Sequence, residues 1–180
     1  VTSTSGADET YVYVAGSDAA AAAKVTFENS YAATGETTSI VGTKSMTNGL
    51  MFDGDFTFNL AYGAGNPEVV AEVTNHLGQV NFGSLSYNSD KLARLVDEGH
   101  AARTGNTWTI PYVAYEVTDG LRDRGVTPTA ANFSLTVSVT DNGDGTLTCT
   151  VNLPDGGLTF LNTYATGDPV SIGLAGTKSL

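Results

Sequence analysis

The chain has 180 residues, with 8 Lys and Arg against 19 Asp and Glu and a formal net charge of −11. So acidic a surface repels phosphate backbones and anionic lipid, which argues against nucleic acid and the membrane surface as partners, and no apolar run reaches the roughly 20 residues that cross a bilayer. Abundant Gly, Thr, Ser, Val and Asn favour strands and tight turns, and the single cysteine, Cys149, excludes an intramolecular disulfide.

In chain order, residues 1–34 carry strand-like patterns that close on Phe27-Glu28-Asn29-Ser30-Tyr31. Period-two alternation or β-rich runs then predict strands over 39–46, 54–62 and 78–85. A helix is predicted at about 90–98, capped by Ser89, with Leu92, Leu95 and Val96 on one apolar face and Gly99 at its end. Further strands are predicted over 107–118, 133–141, 146–153 and 157–164. Pro111 marks the first of these as an edge strand or a bulged one. Asp141-Asn142-Gly143-Asp144-Gly145 reads as a hairpin turn and not as a calcium loop, because Gly143 and Gly145 stand where an EF-hand needs ligands. Leu153-Pro154-Asp155-Gly156-Gly157 reads as a second turn. Seven strands with one short helix insertion predict an all-β fold, an Ig-like two-sheet β-sandwich. His76 and His100 lie in polar stretches without a second ligand at metal spacing and are expected on the surface, while Cys149 reads as a small buried hydrophobe. No cofactor and no metal are expected.

The chain also repeats itself. Residues 25–46, VTFENSYAATGETTSIVGTKSM, match residues 158–180, LTFLNTYATGDPVSIGLAGTKSL, in the order Thr-Phe-x-Asn-(Ser/Thr)-Tyr, Thr-Gly, Gly-Thr-Lys-Ser. The offset from Asn29 to Asn162 equals that from Lys44 to Lys178 within one residue, and it is a domain length rather than a solenoid period. The expected organisation is therefore the closing strands of a preceding repeat plus a linker (1–36), a complete sandwich (37–167), and the first strand of a following repeat (168–180). Thr34-Gly35-Glu36-Thr37 and Thr166-Gly167-Asp168-Pro169 are the expected joints. Asn29 and Lys178 are then half-sites of neighbouring repeats. Neighbouring repeats, or copies of the chain assembled head to tail, are the expected partners.

Three strands place a polar residue on an apolar face. Lys44 shares its face with Ile40, Gly42 and Met46; Glu116 with Tyr112, Ala114 and Thr118; and Asn162 with Leu158, Phe160 and Tyr164. A lone buried charge is costly, so such residues must be paired, neutralised or chemically consumed. Desolvation turns a lysine into a neutral, nucleophilic amine. A protonated glutamate can polarise a carboxamide and pass a proton to the departing ammonia. Such a trio can form an amide once per chain, which is maturation and not turnover. A buried Lys–Glu ion pair with a hydrogen-bonded Asn remains the alternative.

Taken in order, Val41-Gly42-Thr43-Lys44, Gly54-Asp55-Phe56-Thr57-Phe58-Asn59-Leu60, Gly78-Gln79-Val80-Asn81-Phe82-x-x-Leu85-x-Tyr87, Tyr112-x-x-x-Glu116, the 141–147 turn and Phe160-x-Asn162-Thr163-Tyr164 resemble the pilin isopeptide-linkage domain of Gram-positive major pilins and repeat-containing surface adhesins. The resemblance covers about residues 38–165. It implies a bond from Lys44 to Asn162 with Glu116 as catalyst, an Ig-like sandwich, and a structural role in an extracellular shaft or stalk on the bacterial surface. The variable stretch 88–106 does not align, and no Leu-Pro-x-Thr-Gly sorting signal is found. An adhesive module binding a host glycan or protein is the alternative function. No catalytic triad, metal cluster or phosphate loop points to an enzyme.

Overall fold

The computed structural model describes residues 10–13, 23–26 and 30–165, together with Gly176 and Lys178. The chain forms two compact units, Val1–Ala32 and Ala33–Leu180. In the first unit β1 (Thr10–Tyr13) and β2 (Ala23–Thr26) pair antiparallel, with Tyr11 opposite Val25.

The second unit runs through β3 (Thr34–Glu36), β4 (Val41–Thr47), β5 (Thr57–Tyr62), β6 (Val69–Thr74), β7 (Gln79–Asn81), β8 (Ser86–Asn88), α1 (Ser89–Asp97), β9 (Ala102–Thr104), β10 (Thr107–Glu116), a 3-10 turn (Arg122–Arg124), β11 (Val126–Ala130), β12 (Asn132–Asp141), β13 (Leu147–Asn152) and β14 (Leu158–Tyr164). One sheet has the order β13-β12-β10-β5-β6, with β9 flanking β10, and the other has the order β11-β14-β4-β7. The fold is all-β and sandwich-like, with one short helix. Alternation drives it: Trp108, Ile110, Tyr112, Ala114 and Glu116 of β10 are buried, as are Leu158, Phe160 and Asn162 of β14. Phe56, Phe58, Leu60, Val80, Val137 and Phe160 join them in one core.

Several elements differ from the sequence prediction, each for a local reason. Thr34–Glu36, expected within an interdomain joint, is a strand paired with β8, and the Thr34 N–H donates to the Gly145 carbonyl at 3.3 Å. Strands β8 and β9 are three residues long, too short for a periodic signal. The expected strand over 107–118 ends at Glu116, and Thr118 is exposed. Asn88, not Ser89, caps α1, accepting from the Lys91 N–H at 2.7 Å, because the Ser89 hydroxyl accepts from the Ala33 N–H instead.

Pro111 lies in an interior strand, not at an edge. Its carbonyl accepts from the Gly63 N–H, so its nitrogen faces the same side, where neither β9 nor β5 pairs with it. No ladder bond to β12 is lost. His100 is buried rather than on the surface: it stacks on Tyr62 at 4.2 Å and its Nδ1–H donates to the Ala64 carbonyl at 2.7 Å. His76 is exposed, 2.7 Å from Asp53. The 141–147 hairpin uses its carboxylates locally, Asp144 accepting from both the N–H and the hydroxyl of Thr146. Cys149 is half-buried against the core, and burial pushes its thiol up, away from reactivity.

Candidate functional site

Lys44, Glu116 and Asn162 meet inside the second unit. Strands β4 and β14 are parallel neighbours, with Phe160 opposite Lys44 and Asn162 opposite Met46. With a side-chain period of two, Lys44 and Asn162 therefore leave adjacent strands of one sheet toward the same core. Glu116 comes from the other sheet, at the end of β10, opposite Phe58 of β5. Its backbone N–H is held by the Ala131 carbonyl at 2.8 Å.

The contacts are close. Lys44 Nζ donates to Glu116 Oε1 at 2.8 Å and to Oε2 at 3.0 Å. Asn162 Nδ2 donates to the same Oε1 at 2.7 Å. The Lys44 and Glu116 side chains are 0% exposed, and Asn162 is equally closed to solvent. Asn162 Oδ1 is buried without a hydrogen-bond partner. Phe56 and Phe58 wall the amine, with ring centroids 4.5 and 5.8 Å from Nζ. Phe160 packs on Phe58 at 4.7 Å and on Phe133 at 5.0 Å.

This environment sets the chemistry. Loss of solvent lowers the Lys44 pKa, against the hydrogen bond and the charge of Glu116, which raise it. The neutral amine is the nucleophilic form. A proton moved from Nζ to Glu116 along an existing hydrogen bond yields that amine together with a neutral carboxyl. The shared Oε1 also touches the amide nitrogen, the group that would leave if the amine added to the carboxamide. One carboxyl is thus placed to accept from the nucleophile and to donate to the leaving group.

Two features had no role in the sequence prediction. The aromatic wall, Phe56 and Phe58, lay within a recognisable run but carried no stated function. Gly42 is a spacer: a Cβ there would stand 2.7 Å from the Leu158 carbonyl oxygen and 2.8 Å from its Cβ. Only glycine lets β4 and β14 approach this closely two residues before Lys44. Of the expected half-sites, Lys178 is exposed and Asn29 lies outside the described residues. Among the described residues, no group of three or more His, Cys, Asp or Glu side chains could hold a metal ion, and no helix is long and apolar enough to cross a membrane.

No curated protein matches the chain. The family described as the Spy0128-like isopeptide containing domain matches residues 40–165, from the residue before β4 to the residue after β14. That span holds the lysine, the glutamate and the asparagine. The chain belongs to this family of pilin-type isopeptide domains.

Proposed function

We propose that the second unit is a stalk or shaft module of an extracellular pilus, fibre or adhesin of a Gram-positive bacterium, locked by a self-formed amide between Lys44 Nζ and Asn162 Cγ. The observation that carries this reading is the single Glu116 oxygen bonded to both the amine and the carboxamide nitrogen. Family membership supports the structural role.

The reaction balances without a co-reactant. Lys44 passes a proton to Glu116, and the neutral amine adds to Asn162 Cγ. Glu116 gives that proton to the amide nitrogen and takes the remaining extra proton from the newly bonded nitrogen; the old C–N bond breaks, one ammonia leaves, and Glu116 ends as a neutral carboxyl. The aromatic wall and the two sheets supply proximity, which is worth roughly 7–11 kcal/mol of barrier in well-oriented reactions. The event occurs once per chain, so the protein is a self-crosslinked structural element and not a turnover enzyme.

Asn29 and Lys178 are read as halves of the same bond in the neighbouring repeats of a head-to-tail array. Tension along such an array enters each module near its first core strand and leaves near its last. The proposed bond joins those two strands, which are already parallel neighbours. Intact mass spectrometry tests it: the full chain should be lighter than its sequence by one ammonia, with a Lys44–Asn162 crosslinked peptide after digestion. A chain of full sequence mass with a freely modifiable Lys44 would falsify the bond.

A further inference from the structure

The end of the module from which the chain leaves carries exposed apolar residues. Ala165 is held there by the Gly125 carbonyl at 2.9 Å, and Tyr164 lies against Gly49. The loops of the same end are tied together. The Gly54 N–H donates to the Asn75 carbonyl, the Leu77 N–H to Asp53 Oδ1, and Arg124 Nη1 to the Asp55 carbonyl. On these loops Leu50, Phe52 and Leu77 are 81%, 66% and 81% exposed.

Leu77 is also in the wrong conformation for a leucine. His76 and Gln79 exchange both backbone hydrogen bonds, at 2.9 and 2.8 Å, around Leu77 at φ 47° and Gly78 at φ 74°. Two left-handed central residues define the hairpin turn that Asn-Gly fills best. A leucine there bears backbone strain and leaves its side chain in water, and strain of this kind collects at functional positions.

The repeat says what lies next to this surface. Tyr31 corresponds to Tyr164, and only two residues later Ala33 is fully buried in the second unit, its N–H donating to Ser89 Oγ at 3.0 Å. On the tandem-repeat reading the following module starts within a residue or two of Tyr164, and two residues span at most about 7 Å. On that reading the following module begins against this end.

Resting on the tandem-repeat reading above, we propose that Leu50, Phe52 and Leu77 form the seat on which the next copy of the 37–167 module docks, making the joint stiff. The test lengthens the 180-residue chain after Leu180 by a copy of residues 47–167, which completes the following repeat. Hydrogen exchange should slow severalfold at residues 50–53 and 77 in the longer chain relative to the 180-residue chain. Small-angle scattering should give one narrow inter-module distance. The pair Phe52→Ser and Leu77→Asn should restore fast exchange and broaden that distance.

Leu77→Asn alone should raise Tm of the 180-residue chain by about 2–4 °C through relief of turn strain. A fall in Tm would mean that Leu77 packs within its own module, and the seat would be rejected. Unchanged exchange in the longer chain, or a distance indifferent to the paired substitution, would also overturn it. Ammonia loss per complete module, read from the same samples, reports separately on the Lys44–Asn162 bond.

Discussion

Two polar clusters share one core, and both draw on the same face of β10. Tyr112 contributes to one and Glu116, four residues later, to the other. In the first, the Tyr87 and Tyr112 hydroxyls are 2.8 Å apart, Tyr62 packs on Tyr112 at 5.3 Å, and His100 stacks on Tyr62 while donating to Ala64. In the second, a lysine and a glutamate are sealed from water beside a carboxamide. Asn162 Oδ1 there is the one buried side-chain polar atom among the described residues without a partner. The first cluster satisfies its members and has nothing to gain by reacting. The second concentrates desolvated charge around an unsatisfied carbonyl, and burying such groups is costly unless chemistry removes them. Amide formation would neutralise the lysine permanently. Buried polarity is thus glue in one cluster and proposed reagent in the other.

The largest separation between the clusters should come from Lys44→Ala. It removes the proposed crosslink, which would span most of the second unit and for which loop-entropy reasoning from disulfides gives a loss on the order of 4–5 kcal/mol. It also strands Glu116 without its counter-charge. Chemical denaturation and protease resistance measure this, and a stability equal to the parent's would remove the crosslink from the account. Glu116→Gln sharpens the point by keeping a hydrogen-bonding side chain while removing the proton acceptor. The variant should fold and crosslink about 10²–10⁴-fold more slowly, followed by intact mass over time. Crosslinking at the parent's rate would show that Glu116 only fills space.

The tyrosine cluster should respond more weakly and without chemistry. Tyr87→Phe leaves the Tyr112 hydroxyl unpaired, at a cost of about 1–3 kcal/mol, and the double change to phenylalanine should cost less than the two single changes added together. Crosslinking should be complete in all three variants. Burial raises the pKa of both hydroxyls well above the ordinary value of 10.0. A group whose folded pKa is raised contributes stability that is fully present below the unfolded pKa and is lost as pH rises toward the folded one. Tm should therefore fall progressively above pH 10, and less so in the double phenylalanine variant. An alkaline loss of equal size in both would assign the effect to other groups.

Much of this was legible along the chain. Alternation alone put Lys44 and Asn162 on clearly apolar faces, because the strand period is two and a core-facing polar residue stands out against Ile40 or Phe160, and it put Glu116 on a less sharply apolar one. The helix was legible too, though its cap moved by one residue once Ser89 turned to Ala33. His100 was misread because a polar neighbourhood in sequence says nothing of Tyr62, which reaches it across the fold. The short strands β8 and β9 carried no periodic signal. Strand β3 was hidden in a stretch whose Thr-Gly composition reads as a joint.

By itself, then, the sequence put Lys44, Glu116 and Asn162 on apolar strand faces, carried one motif twice at domain-length spacing, and required any of the three that is buried to be paired, neutralised or consumed. Only the tertiary structure decided that they meet. Alternation is a property of one strand, whereas adjacency depends on sheet order. Here the first and last long strands of the module lie parallel, Gly42 lets them approach, and Glu116 crosses from the opposite sheet to place one oxygen between an amine and an amide.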